Sequence, residues 1–180
     1  GMTRKTIDEF KLGYAPDGWD HLVRHFRSRR KPVEMALQAG LIVSRKKGEG
    51  HYDRFRNRII FPIFNGQNQA VGFGGRVMDD ALPKYLNSPE TPVYTKSRSL
   101  YGLNRARQKC RETQTVYVVE GYFDLLSMHQ FGIENTVATL GTSLTAEHVQ
   151  ILKGFVGEGG KAALVYDSDQ AGIKAAQRSV

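Results

Sequence analysis

From Thr113 onward the chain alternates between two hydrophobic periods, and few folds satisfy that alternation. Thr115-Val116-Tyr117-Val118-Val119 is a short, β-branched, largely apolar run of the kind that forms a strand buried on both faces. A helical segment follows from Tyr122 to Phe131, closed by Gly132, and then a second strand-like run, Asn135–Leu140. A helix from about Thr145 carries Ala146, Val149, Leu152 and Phe155 on one side, and Ala162–Tyr166 supplies a third strand. Strand, helix, strand, helix, strand implies parallel pairing through right-handed crossovers. The class expected is α/β, with a Rossmann-like parallel sheet in residues 113–180. A last helix, Ala171 to Val180, has no following element in sequence, so the sheet reads as truncated at its C-terminal end.

Residues 1–112 read differently, as a basic α+β subdomain. Trp19, Leu22, Val23 and Phe26 stand at i, i+3, i+4, i+7, one face of a helix, and a second helix is expected from Val33 to Ala39 with Gly40 past its end. Ser44–Gly50 reads as a loop. Ile59–Phe64 and Ala70–Val77 flank the turn at Asn65-Gly66 and read as a hairpin or meander with a basic face. Its glycines would admit a close backbone or phosphate, or simply mark a bulge. Lys84 to Pro92 is rich in proline and small polar residues and is expected to be an ordered surface loop. A short basic helix then ends near Glu112.

Charge divides the chain as the patterning does. Residues 1–111 hold 22 Lys and Arg against 10 Asp and Glu, a formal +12, whereas residues 112–180 hold 4 against 8, a formal −4. A basic half beside an acidic half suits a protein that holds a polyanion with one part and divalent cations with the other, and it also suits a plain solvated surface. The single cysteine, Cys110, excludes an internal disulfide and a thiolate-based zinc site. His21 and His25 stand four apart, but Leu22 occupies the place where a metalloprotease signature needs Glu, so both read as surface histidines. No apolar run approaches the roughly 20 residues that span a bilayer, and no signal peptide is evident, so the expected location is cytoplasmic.

Ligands of parallel α/β sheets sit at the carboxyl ends of the strands. Glu120 follows the first strand, with Asp124 four residues on, and Asp167 and Asp169 follow the third. Carboxylates gathered at one edge repel unless cations neutralise them, which is how such edges bind Mg²⁺ and position phosphates. Acidic residues in these places also cap helices or solvate turns.

Val119-Glu120-Gly121-Tyr122-Phe123-Asp124 and Tyr166-Asp167-Ser168-Asp169 resemble the first two acidic motifs of the TOPRIM fold, shared by bacterial primases, topoisomerases and some nucleases. Upstream, Tyr52–Arg58, Gly72–Arg76, Pro83–Thr91 and Leu100–Leu103 resemble the basic subdomain that precedes TOPRIM in DnaG-type bacterial DNA primases, in that family's order. Ala138–Ser143 resembles the same family, and the resemblance extends over nearly the whole chain. It implies the catalytic core of a DNA-dependent RNA polymerase that makes short RNA primers on single-stranded DNA by metal-dependent nucleotidyl transfer. Its expected partners are a single-stranded DNA template and ribonucleoside triphosphates, with a replicative helicase engaged only through regions absent here. Other TOPRIM enzymes (nuclease, topoisomerase) and a non-catalytic single-stranded DNA-binding module are the alternatives.

The resemblance also implies roles. Asp167 and Asp169 would bind Mg²⁺ or Mn²⁺, Glu120 would share a metal or move a proton, and Asp124 would assist. Lys84, Arg76 and Lys96 would neutralise the triphosphate, while Arg54, Arg56 and Arg58 would track the template backbone. The family's zinc-binding cluster and third acidic motif have no counterpart in this sequence, so no zinc is expected and the segment alone is expected to be inactive or weakly active.

Overall fold

The computed structural model describes residues 1–178. Among the described residues the α-helices are α1 (Arg4–Glu9), α2 (His21–Ser28), α3 (Val33–Gln38), α4 (Leu103–Thr113), α5 (Tyr122–Gln130), α6 (Ala146–Val156) and α7 (Gln170–Arg178). The strands are β1 (Gly13–Ala15), β2 (Ile42–Ser44), β3 (His51–Asp53), β4 (Arg58–Phe64), β5 (Ala70–Val77), β6 (Tyr85–Asn87), β7 (Thr115–Val119), β8 (Thr136–Ala138) and β9 (Lys161–Leu164). They gather into two compact units. One holds Gly1–Glu9, Ile63–Ala70 and the residues from Lys96 onward, and the other holds Phe10–Pro62 and Val71–Thr95.

In the first unit, β7 lies between β8 and β9, and both pairings are parallel, as the alternation requires. Val116, Val118 and Val119 are fully buried on this strand. Leu103, Ala106 and Cys110 of α4 join Leu152 and Val156 of α6 in the cluster that covers Val116 and Val118. Burial pushes the Cys110 thiol up to about 11, so the one cysteine is a small core residue and not a reactive thiol. Tyr101 exchanges both backbone hydrogen bonds with Ala138 at 2.9 and 3.0 Å, which covers the outer edge of β8. Helix α1, which no periodicity announces, docks on α5: Thr3 N–H and the Thr6 hydroxyl both donate to Gln130 Oε1, at 2.8 and 3.2 Å.

In the second unit the sheet order is β1-β4-β5-β6, and β2 and β3 form a separate antiparallel hairpin. Two expectations change here. Trp19 lies outside α2, because the helix start is set by a distant carboxylate: Asp53 accepts from Leu22 N–H at 2.6 Å and Val23 N–H at 3.0 Å. The Lys84–Pro92 segment is not wholly irregular, since Tyr85–Asn87 pairs with Gly74–Arg76 as β6. The prolines flank those three residues and leave their backbone donors free to pair. Two glycines of β5 receive the protein's own rings. A Cβ on Gly72 would stand 3.1 Å from the Tyr94 ring, and one on Gly75 would stand 2.9 Å from Phe55.

Gly102 has φ of +78°, and a Cβ there would lie 2.6 Å from Cδ1 of the fully buried Leu125. Gly102→Ala therefore combines backbone strain with overpacking and should cost roughly 2–4 kcal/mol. Urea denaturation checks this; a midpoint unchanged from wild type would contradict the packing.

Candidate functional site

The parallel sheet brings one of the four candidate carboxylates, Glu120, to the backbone of another, Asp167. Glu120, the residue after β7, accepts a hydrogen bond at Oε1 from the backbone N–H of Asp167 at 3.1 Å, so the two strand ends are tied at one edge. The other two serve helix starts: Asp124 Oδ2 accepts from Gly121 N–H at 3.1 Å, and Asp169 Oδ1 accepts from Gly172 N–H at 2.8 Å. Gly172 is needed for that turn, because a Cβ would sit 2.1 Å from the Asp167 carbonyl oxygen.

Among the described residues no Lys or Arg forms an ion pair with these carboxylates, and no group of three or more His, Cys, Asp and Glu side chains closes on one point to hold a metal ion. The donor set suits a hard divalent cation in kind, being carboxylate oxygen at a strand edge, and falls short in number. Beside Glu120 opens a cavity of about 300 Å³, lined also by Thr139, Gly141, Thr142, Ser143 and Tyr166. The Thr142 hydroxyl is buried, with no hydrogen-bond partner among the described residues. The Ala138–Ser143 stretch thus forms a wall of the acidic crevice, a placement that residue types alone do not reveal.

The Tyr52–Arg58 segment is built mainly as a set of ties. Arg54 donates through Nε and an Nη to the Asn87 carbonyl at 3.2 and 2.9 Å. Arg58 is buried, and its two terminal nitrogens donate to the carbonyls of Arg56 and Pro83, both at 2.9 Å. Burial lowers the pKa of both guanidinium groups; for Arg58 the neighbouring charge of Arg56 adds to it. These two arginines therefore grip the Lys84–Asn87 segment at both ends, through Pro83 and Asn87, and their charge is directed at backbone oxygen rather than solvent. Lys84 itself is exposed, and Arg76 lies over the Tyr85 ring at 5.3 Å.

Arg56 differs from its two neighbours. It donates to the Asp53 carbonyl at 2.5 Å and lies over Trp19 at 4.2 Å and over Tyr52 at 5.3 Å. Trp19 and Tyr52 meet edge to face at 5.5 Å, and Trp19 remains 60% exposed. An exposed indole backed by a guanidinium is a surface on which a planar ring can stack. The expectation of Trp19 on one face of a helix missed this; its one sequence signal is an aromatic residue close to an arginine-rich segment. Lys96 belongs to the other unit, in the 3₁₀ turn Lys96–Arg98.

The family model "DNA primase catalytic core, N-terminal domain" matches residues 1–107, more than half of the chain, and the "Toprim-like" model matches residues 117–180. The chain belongs to the DNA primase family. It is 47% identical over 175 residues to the DNA primase of Deinococcus radiodurans, covering 97% of this chain and 30% of that one. It superposes on the crystal structure of a DNA primase domain from Pseudomonas aeruginosa with a TM-score of 0.90 at 44% identity, covering 99% of this chain and 55% of that one. A structure described as the DnaG primase catalytic domain bound to ssDNA superposes with a TM-score of 0.88 at 41% identity, again over 99% and 55%. The chain thus spans about a third of its curated relative and about half of each solved primase chain.

Asp53 holds the first turn of α2 through a buried carboxylate. Asp53→Ala should lower stability by about 1–2 kcal/mol, since it removes an N-terminal cap and strands two donors. Thermal denaturation beside wild type checks it, and an unchanged midpoint would show that α2 does not need the cap.

Proposed function

We propose that this chain is the part of a primase catalytic core that holds a single-stranded DNA template with its basic segment, residues 1–112, and positions ribonucleoside triphosphates and divalent metal with the acidic edge in residues 113–180. The observation that carries this reading is the pairing of Glu120 with Asp167 at the carboxyl edge of a parallel sheet, in a chain of the primase family. Glu120, Asp167 and Asp169 are the residues to hold Mg²⁺ or Mn²⁺. When bound, such ions stabilise the charge that develops on attacking and leaving oxygens during nucleotidyl transfer. The chain's own contribution is positional. Glu120 and Asp167 fix oxygen donors at the edge, Asp169 gives up or shares its capping bond to join them, and Thr142 lines the crevice where a nucleotide would lie. Asp124 assists by anchoring the start of α5 behind Glu120.

Lys84, Arg76 and Lys96 are the cations to meet the triphosphate. Arg56, with Trp19 and Tyr52, is assigned to the template as a stacking and charge platform, while Arg54 and Arg58 act on template and nucleotide through the segment they grip. The cytoplasm is the compartment that fits a replication protein of this kind.

Trp19 is the sole tryptophan and reports on its own surroundings. Titration with an oligothymidylate should quench its fluorescence, with an affinity that falls steeply between about 50 and 200 mM salt. Arg56→Ala should weaken that binding by roughly 1–2 kcal/mol. Quenching that is absent, or indifferent to salt, would remove the template assignment.

Within a full-length primase carrying this segment, Asp167→Ala should reduce primer synthesis from labelled ribonucleotides on the order of a hundredfold or more, since a few kcal/mol of lost transition-state stabilisation suffices. Wild-type activity in that variant would displace the acidic edge from the chemistry.

A further inference from the structure

The turn Lys96–Arg98 is three residues long, and so short a 3₁₀ segment does not hold its own shape. The first turn of α6 holds it. The Thr145 hydroxyl, at the N-cap of α6, donates to the Ser97 carbonyl at 2.7 Å and accepts from His148 N–H at 3.1 Å. His148 closes the box from the other side, its Nδ1 accepting from Thr145 N–H at 3.2 Å. An imidazole therefore stands where a capping box ordinarily uses Glu or Gln. The acceptor role at Nδ1 places the ring proton on Nε2.

His148 is fully buried, and its ring faces the backbones of Lys96 and Ser99. Burial lowers its pKa, and the backbones of Lys96 and Ser99, which the ring faces, pull the pKa partly back, although Nε2 stops short of hydrogen-bonding geometry. A glutamate here would bury a charge, whereas a neutral ring supplies the same acceptor without one. The C-terminal side of the turn is anchored as well, since Leu100 and Tyr101 are both buried and Tyr101 is bridged to Ala138. Both ends of the Lys96 turn are thus fixed, one by the core and one by the α6 box.

We infer that Thr145 and His148 are positioning residues for Lys96: the α6 capping box fixes the turn that aims this lysine at the triphosphate. The inference rests on the assignment of Lys96 to the nucleotide, made above. It explains why a helix remote in sequence directs a hydroxyl at a backbone carbonyl 48 residues away.

The test is a double-mutant cycle in full-length primase carrying this segment, with ATP as the varied substrate in primer synthesis. Lys96→Ala, Thr145→Val and His148→Leu should each raise the KM for ATP on the order of tenfold, the effect of losing or misplacing one charge-assisted contact. The affinity for oligothymidylate should stay unchanged. Thr145→Ser retains the hydroxyl and His148→Asn retains an acceptor near the Nδ1 position, so both should restore the KM, which loss of stability alone would not predict. Thr145→Val added to Lys96→Ala should raise the KM no further, because the box then has no lysine to aim. If Lys96→Ala raises the KM but Thr145→Val multiplies it again by the same factor, the box acts elsewhere and the inference fails while the Lys96 assignment stands. If Lys96→Ala leaves the KM unchanged, the assignment and the inference fall together.

Discussion

Parallel pairing around one buried strand is the constraint on which the site depends. Because β8 and β9 both run parallel to β7, the carboxyl ends of these strands share one edge, and Glu120 meets the backbone of Asp167 there. Val116, Val118 and Val119 make that arrangement obligatory, since a strand this apolar is stable only with both faces covered. A register slip of one residue would exchange the two buried faces of β7 and carry Glu120 away from Asp167. The chemistry of the edge is thus fixed by the packing beneath it.

In the second unit, charge builds structure before it meets any ligand. Asp53 starts α2, Arg54 and Arg58 hold the ends of the Lys84–Asn87 segment, and Arg56 supports Trp19. A guanidinium has five donors in a planar fork, so it can bridge two carbonyls that a lysine would leave apart. Replacing Arg54 or Arg58 with lysine would therefore disturb the fold and the exposed Lys84 together. The formal +12 of residues 1–111 overstates the charge that faces solvent, because part of it lies against backbone oxygen.

The parallel sheet was legible in the sequence because its signals are local. Thr115–Val119 is largely apolar and β-branched, the helix from about Thr145 carries its apolar residues on one side, and Glu120 stands directly after a strand. The elements that were not legible are those stabilised from a distance. Helix α1 depends on Gln130, the start of α2 on Asp53, and β6 on Gly74–Arg76. Residue type likewise fails to separate an arginine buried against carbonyls alone from one that also lies over an exposed ring. Arg58 is buried, whereas Arg56, two positions away, is half-buried and lies over Trp19. The same limit applies to His148, which is one more helical residue in the sequence and an uncharged bracket in the fold.

The central claim is that Glu120 and Asp167 form the core of a divalent-cation site at the sheet edge. Crystals soaked in Mn²⁺ and measured for anomalous scattering address it most directly, because oxygen donors of this type accept Mn²⁺ as readily as Mg²⁺. The account predicts a peak within coordination distance of both carboxylates, with Asp169 turned toward it, and no peak in Glu120→Gln crystals. Saturating Mn²⁺ with no density at this edge, or a peak that persists unchanged in the Glu120→Gln protein, would contradict it.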